Sequence, residues 1–493
     1  MVILGYFVIV IYFVALVYVT LFCLLQLHLL GKYLFAKNTN SVQADLSSKM
    51  YDYPKVTVQL PIYNEKYVVA RLIDNIMLLD YPKDKIQIQI LDDSTDETVE
   101  ISRSKVKHYQ SLGFNIVCLH RSDRQGFKAG ALRDGLKSAE GEFIAIFDAD
   151  FLPSKDFILK TLPSFNDSKI GVVQTRWDHI NQNHSLLTEL QAFQLNVHFT
   201  IEQKGRYNAD YLLQFNGTAG VWRKTCIEDA GGWEADTLTE DLDLSYRAQL
   251  KGWKIQYLEE VTAPAELPAE IYGLKSQQFR WMKGGAETAR KLLPKVWRSD
   301  LSLSQKFQAN VHLFSSSIFI FVFVLGLLSF PIVIFTQLLQ INTSLFGVFL
   351  VSLLSIIIVY YIANVHVAWP KTQIWKMVVK FIFIFPIFLA VSMALSLHNM
   401  IAVIQGFCGF QSSFVRTPKY GNKVRNIDIV YKSYFSHKLN LIVLLEGLLC
   451  LYFVYAIYYE VQNDVKDFLI FHILLALGYF TVFAYAISSR FSK

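Results

Sequence analysis

IQIQILDDST, Ile86–Thr95, alternates branched aliphatics with glutamine and then stops on a pair of carboxylates. Period-two alternation in β-prone residues reads as a strand, and the acidic pair marks its end. KVTVQL (55–60) runs in the same way into PIYNE (61–65), and EFIAIF (142–147) runs into Asp148 and Asp150. NIVCL (115–119) is a fourth short run. Tyr67–Leu79, Thr95–Leu112 and Lys128–Ser138 lie between the strands and have helical length and spacing. Strands alternating with helices predict an α/β domain with a mostly parallel sheet covered on both faces. In such sheets ligands bind beyond the carboxyl ends of the strands, where these acids fall.

The rest of the chain has another solvent. The whole chain's 493 residues are 53% hydrophobic, 15% aromatic and only 18% charged, which excludes one ordinary soluble domain. Met1–Gly31 has no charged side chain and exceeds the roughly 20 residues that cross a bilayer. With no basic start and no small-residue cleavage site, it reads as a signal anchor (1–31) and not as a cleaved peptide. Lys32 and Lys37 follow it, so the positive-inside rule places the domain from 32 to about 310 in the cytoplasm.

Further apolar runs lie at 311–339, 345–369, 378–405, 439–459 and 468–488. Six crossings would leave the basic loop 406–438 outside, against the same rule. Segment 378–405, interrupted by Pro386, is therefore expected at the cytoplasmic interface, with five full spans around it. No regulatory domain is expected after the last run. The five cysteines are scattered singly, which suggests neither disulfides nor a metal knuckle. A net charge of +6, gathered near apolar runs, favours lipid headgroups or a phosphate-bearing substrate over nucleic acid.

Side-chain alternation would put Asp148 and Asp150 on one side if the strand continues through them. Two hard-oxygen donors there suit Mg²⁺ or Mn²⁺, which also contacts substrate phosphates. Lys128 in RQGFKAGAL opens a helix, a favourable place for phosphate. In TLTEDLDLSYRAQL, Thr239 reads as an N-cap, with Glu240 and Asp241 in the first turn. Acids there serve the helix dipole or, for Asp241, work as a general base. Gln277, Arg280 and Trp281 share a helix face at i, i+3 and i+4. A guanidinium suits a diphosphate and a flat indole suits a sugar ring, although both are also common at membrane interfaces.

The motifs DDS (92–94), DAD (148–150), TED (239–241) and Q-x-x-R-W ending at Trp281 resemble, in that order, the family 2 glycosyltransferases of the cellulose synthase superfamily. QTRWDHIN, IEQKG, FNGTAGVWRK, AGGW and ELPAEIYGLKSQQFRW are similar to its cellulose synthase-like A and C branch, the mannan and glucan backbone synthases, and to bacterial relatives. FVRTPK (414–419) resembles the superfamily's gating loop, with Arg416 where valine is usual.

The resemblance implies a cytoplasmic GT-A domain, joined to transmembrane helices, that transfers sugar from a nucleotide donor with inversion. It implies donor contacts from Pro61, Tyr63, Glu65, Asp92 or Asp93, Lys128, Asp148, Gln277 (or Gln278) and Arg280, and metal held by Asp148 and Asp150. Asp241 would be the base, with Glu240 beside it. Phe215, Asn216, Gly217, Thr218 and Trp281 would face the acceptor, and Phe414, Arg416, Thr417 and Lys419 would close over the nucleotide. The partners implied are a GDP-mannose or UDP-glucose type donor, a growing glycan and membrane lipids. A β-linked polysaccharide of mannan, glucomannan or glucan type is the expected product, made at a plasma, bacterial inner or Golgi membrane and exported through the later spans. A transferase glycosylating a lipid, similar to ceramide glucosyltransferases, is the first alternative, and an inactive membrane transport or structural protein the second.

Overall fold

The computed structural model describes residues 1–36, 53–342, 347–367, 374–412, 415–417, 419, 421 and 441–491. A long helix, α1 (Val2–Leu34), precedes a domain with seven strands: β1 (Val56–Ile62), β2 (Ile86–Asp92), β3 (Ile116–His120), β4 (Phe143–Ile146), β5 (Ile170–His179), β6 (Gly220–Arg223) and β7 (Lys254–Ala265). They form one sheet in the order β3-β2-β1-β4-β6-β5-β7. The first four are mutually parallel, β6 runs antiparallel to both neighbours, and β5 pairs parallel with β7. Helices α2 (Val69–Ile76), α3 (Thr98–Ser111), α4 (Phe127–Leu136), α5 (Phe157–Thr161), α6 (Leu186–Val197), α7 (Lys204–Asn208), α8 (Lys224–Asp229) and α9 (Glu240–Leu250) complete the domain, with a π-helical turn at His198–Gln203 joining α6 to α7.

The alternation in β1 and β2 sorts residues between two buried faces. Val56, Val58, Leu60, Ile86, Ile88 and Ile90 enter one apolar core. Their neighbours Thr57, Gln59, Gln87 and Gln89 face the other side and are buried too. They survive there because they pair across the strands: Thr57 Oγ1 donates to Gln87 Oε1 at 2.8 Å, and Gln59 Nε2 donates to Gln89 Oε1 at 3.0 Å. A buried polar group without such a partner costs roughly 1–3 kcal/mol. The four strands and three helices expected from the sequence are present with ends moved by a few residues. β5, β6 and β7 were not anticipated as strands.

Past the sheet, α10 (Ile271–Arg298) and α11 (Leu303–Leu313) lead to α12 (Ile318–Leu338), α13 (Leu350–Tyr361), α14 (Ile374–Ala394), α15 (Ser396–Cys408), α16 (Leu441–Gln462) and α17 (Leu469–Phe491). Six helical segments are long and apolar enough to cross a membrane: Val2–Leu34, Ser315–Leu338, Gly347–His366, Ile374–Ala394, Leu441–Gln462 and Leu469–Ser488. This is the pattern of an integral membrane protein.

Segment 378–405 falls on two helices that meet at Leu395. The first, α14, has the length and apolarity of a span and packs mainly on α17, where a Cβ on Gly478 would meet the Ala390 carbonyl oxygen, while part of it touches the domain. Lys380 pairs with Glu189 on α6, Phe381 and Phe388 pack against Phe193, and Val391 and Leu395 share a cluster with Leu187 and Leu274. The second, α15, lies against α10 so closely that a Cβ on Gly406 would sit 2.6 Å from the Lys283 carbonyl oxygen. Asn399 Nδ2 donates to Gln278 Oε1 at 2.9 Å, and the buried Lys275 ammonium meets both oxygens of Glu446 on α16 at 2.7 and 2.8 Å. Helix α10 is thereby clamped between the domain and the membrane helices.

Candidate active site

A cleft opens at the carboxyl ends of β1, β2 and β4, and the predicted acids gather there. Pro61, Tyr63, Glu65, Asp93, Lys128, Asp148, Asp150, Asn216, Gly217, Glu240, Asp241, Gln277, Arg280, Trp281, Arg416, Thr417 and Lys419 all line it. Asp92 and Asp93 part company at the end of β2. Asp92 is fully buried, with Oδ1 accepting from the Ser94 amide at 2.8 Å, and it does not line the cleft. Asp93 does, held two-pronged by Arg121 at 2.7 and 2.6 Å.

The premise of a strand continuing through Asp150 fails. β4 ends at Ile146, and a turn closes from the Phe151 amide to the Asp148 carbonyl at 3.1 Å. Both carboxylates nevertheless reach the cleft. Lys128 Nζ lies 2.5 Å from Asp148 Oδ1 and also donates to the Gly217 carbonyl at 2.9 Å. Asp150 Oδ2 accepts from the Glu266 amide at 3.0 Å and from Lys419 Nζ at 2.7 Å.

Thr239 stands at the N-cap of α9, but no side-chain cap bond forms. Its hydroxyl meets Thr288 Oγ1 on α10 at 3.1 Å instead, because α10 presses directly on this loop. A Cβ on Gly284 would lie 2.6 Å from Thr239 Cγ2 and 2.9 Å from its backbone nitrogen, and Glu287 accepts from the Leu238 amide at 2.8 Å. The helix that carries Gln277, Arg280 and Trp281 therefore fixes the loop that carries Glu240 and Asp241.

Burial, and then the neighbouring Glu240, push the Asp241 carboxyl up to about 7, with Lys128 opposing. Glu240 is also raised by burial, against Lys128. Burial lowers Arg280, while Glu240, Asp148 and Asp241 hold its charge in place. Glu65 is raised by burial to about 7 although Arg416 lies 2.7 Å away.

Of the other predicted residues, Gln277 lines the cleft whereas Gln278 turns to Asn399, which separates the two glutamines. Phe215 packs edge-on against Trp222 beneath the cleft, and the fully buried Thr218 accepts the Asp148 amide at 2.9 Å, so both lie behind the wall. Thr417 Oγ1 accepts from Arg280 at 3.1 Å. Phe414 lies outside the described residues. Sequence reasoning missed Arg124, whose guanidinium lies 3.3 Å over the Tyr63 ring, and Glu266, which pairs with Arg71 at 2.6 Å and accepts from the Gly421 amide at 3.2 Å. No local signal marks Glu266. The basic run HRSDRQG (120–126) was the available hint for Arg121 and Arg124.

A mostly parallel sheet with acids at its carboxyl edge, faced by a half-buried guanidinium and an indole, has the GT-A fold. Residues 54–284 match the family described as Glycosyltransferase like family 2. Probable glucomannan 4-beta-mannosyltransferase 11 of Oryza sativa subsp. japonica is 41% identical over 273 residues, 54% of this chain and 47% of that protein. Glucomannan 4-beta-mannosyltransferase 7 of Arabidopsis thaliana is 39% identical over 265 residues, 53% of this chain and 48% of that protein. The chain thus spans about half the length of the curated relatives it matches. Among solved structures, a mannosyltransferase from Pyrobaculum calidifontis in complex with GDP-Man and Mn2+ shares the fold, with a TM-score of 0.54 at 16% identity, covering 82% of this chain and all of that one.

Proposed function

We propose that this protein is a membrane-bound inverting glycosyltransferase that extends a β-linked polysaccharide of mannan or glucomannan type from a nucleotide-sugar donor. The observation that carries the proposal is the position of Asp241. Its carboxyl, raised by burial, stands between the Lys128–Asp148 pair and the small-residue wall at Asn216–Gly217, with Arg280 and Trp281 across the same cleft. A base of this kind takes the proton of an acceptor hydroxyl as that oxygen attacks the anomeric carbon opposite the nucleotide. Arg280 faces the charge that develops on the departing diphosphate. Trp281 offers a flat apolar surface to the acceptor sugar. The names of the relatives favour mannose as the transferred sugar.

The donor set also suits a divalent ion. Asp148 and Asp150 are hard-oxygen ligands on one cleft wall, and each carries an ammonium, from Lys128 and Lys419, where a cation's charge would be welcome. These two carboxylates would hold Mg²⁺ or Mn²⁺, which would neutralise the diphosphate. Arg416 on Glu65, Thr417 on Arg280 and Lys419 on Asp150 support a closing role for this loop over the donor.

The domain faces the cytoplasm in this reading, and α14 lies along the interface, tied to the domain through Lys380–Glu189 and through Phe193, leaving five full spans. The later spans would carry the product outward.

The test is purified protein in lipid nanodiscs with Mn²⁺ and radiolabelled GDP-mannose or UDP-glucose, with the product sized and digested by linkage-specific glycanases. A long product cut by β-1,4-mannanase is expected, and Asp241→Asn abolishes it. A single sugar on an extractable lipid would overturn the polymerase reading.

A further inference from the structure

Helices α10, α11 and α15 leave a band of large apolar side chains uncovered close to where the chain enters the span Ser315–Leu338. On α11, started by a capping box of Ser302 and Gln305, Ala309 and Leu313 turn inward to a cluster with Tyr246, Leu292 and Val296. Leu303 and Phe307, one turn apart, look away from that cluster and are 78% and 50% exposed. The C-cap residue Phe314 meets the Phe407 ring of α15 at 5.5 Å, which joins this stripe to Ile404 and Phe410, 42% and 61% exposed. Trp297, in the last turn of α10, is 49% exposed and shares a helix face with Arg290. A Cβ on Gly409 would run into the Arg290 guanidinium, so the end of α15 lies against that face.

Apolar patches of this kind mark protein or membrane contacts. Position and charge choose between them. Phe307 precedes the span at Ser315 by about two helical turns, about 12 Å, so α11 lies within reach of the headgroup layer. The rim of the band is basic. Asp300 is the sole acid between Thr288 and Leu338, α15 has none, and Arg290, Arg298 and Lys306 stand beside the exposed apolar residues. None of these three side chains is ion-paired or hydrogen-bonded among the described residues, although Glu287 lies within the field of Arg290. Long basic side chains at such a rim lay their stems along apolar surface and lift their charge to the headgroups, and a tryptophan at that depth is a usual anchor. A second copy of this chain would bring the same cations to the contact, so like charge opposes self-association through this face.

We propose that this face is a docking surface for anionic lipid headgroups in the leaflet on the domain's side. Trp297, Leu303, Phe307 and Phe410 enter the apolar boundary of the leaflet, and Arg290, Arg298 and Lys306 meet the headgroups above it. A zwitterionic lipid covers the apolar band equally well but brings no net charge to the three cations, whereas an anionic one does.

The test needs no turnover. The full chain is placed in nanodiscs of phosphatidylcholine with a rising fraction of brominated phosphatidylcholine or brominated phosphatidylglycerol, and tryptophan emission is followed. Trp297 is one of eight tryptophans, so its share is the difference between the parent and Trp297→Phe. That share is expected to be quenched by both lipids, with half-quenching at an about tenfold lower fraction of phosphatidylglycerol, the preference left to three cations after screening by salt and Asp300. The triple variant Arg290→Gln, Arg298→Gln, Lys306→Gln keeps good helix formers at these positions and should bring the two lipids within about twofold of each other, with an unfolding temperature close to the parent's showing that it is folded. Equal half-quenching by the two lipids in the parent overturns the headgroup preference, and a preference that survives in the folded triple variant overturns the role of these cations. A Trp297 share that neither lipid quenches overturns the surface itself, and a doubled protein mass in light scattering would then identify a second copy as its cover.

Discussion

Gly217→Ala puts two separable costs on one atom. The residue has φ of +80°, a conformation that costs an L-residue roughly 1–2 kcal/mol, so some loss of stability follows wherever such a change is made. The added methyl would also stand 2.9 Å from Asp241 Oδ2 and 3.5 Å from Lys128 Nζ. The first distance is too short for contact, and the carboxylate is the part free to yield. Movement of the base by about 1 Å from its working position is enough to lower a rate on the order of 100-fold. The Gly217 carbonyl also accepts from Lys128, which in turn holds Asp148, so the disturbance reaches the donor side. Gly232→Ala separates the two effects, because Gly232 has φ of +76° and an added methyl there would meet nothing within 4 Å. Both variants are expected to unfold at lower temperature by similar margins, whereas only Gly217→Ala loses turnover by about 100-fold in initial-rate assays of sugar incorporation. Turnover within about twofold of the parent in Gly217→Ala, with the stability loss present, would refute the contact between this glycine and the carboxylate proposed as the base.

Three further outcomes follow from the cleft and its supports. A base raised to about 7 is protonated and idle below that pH, so kcat/KM should rise with pH through the region near 7; Lys128→Met, by removing the ammonium that opposes protonation, should move that limb upward in a pH–rate profile. Lys419→Met removes the ammonium that occupies Asp150 Oδ2, so the Mn²⁺ concentration for half-maximal activity should fall several-fold in a metal titration. Lys275→Met leaves Glu446 buried without its partner and should cost about 3–5 kcal/mol in unfolding experiments, whereas the double variant Lys275→Met with Glu446→Leu should recover most of the loss.

Local order in the chain determined the first half of the sheet and much of the site. Period-two alternation located β1 to β4, the acids that end β2 and β4 fell at the edge where ligands bind, and the spacing of Gln277, Arg280 and Trp281 put them on one helix face that does line the cleft. The length of the charge-free runs located the apolar helices. These features are legible because each depends on residues within a turn or a strand of one another. Contacts between distant segments decided the rest. Asp92 and Asp93 are adjacent and chemically alike, and only Arg121 arriving from the end of β3 makes one of them the cleft residue. Thr239 has the right chemistry for a cap, but the approach of α10 at Gly284 redirects its hydroxyl. Arg416 and Lys419 reach Glu65 and Asp150 across more than half the chain. Periodicity carries information about which face a residue occupies within its own element, whereas the partner it meets there is set by how the elements pack.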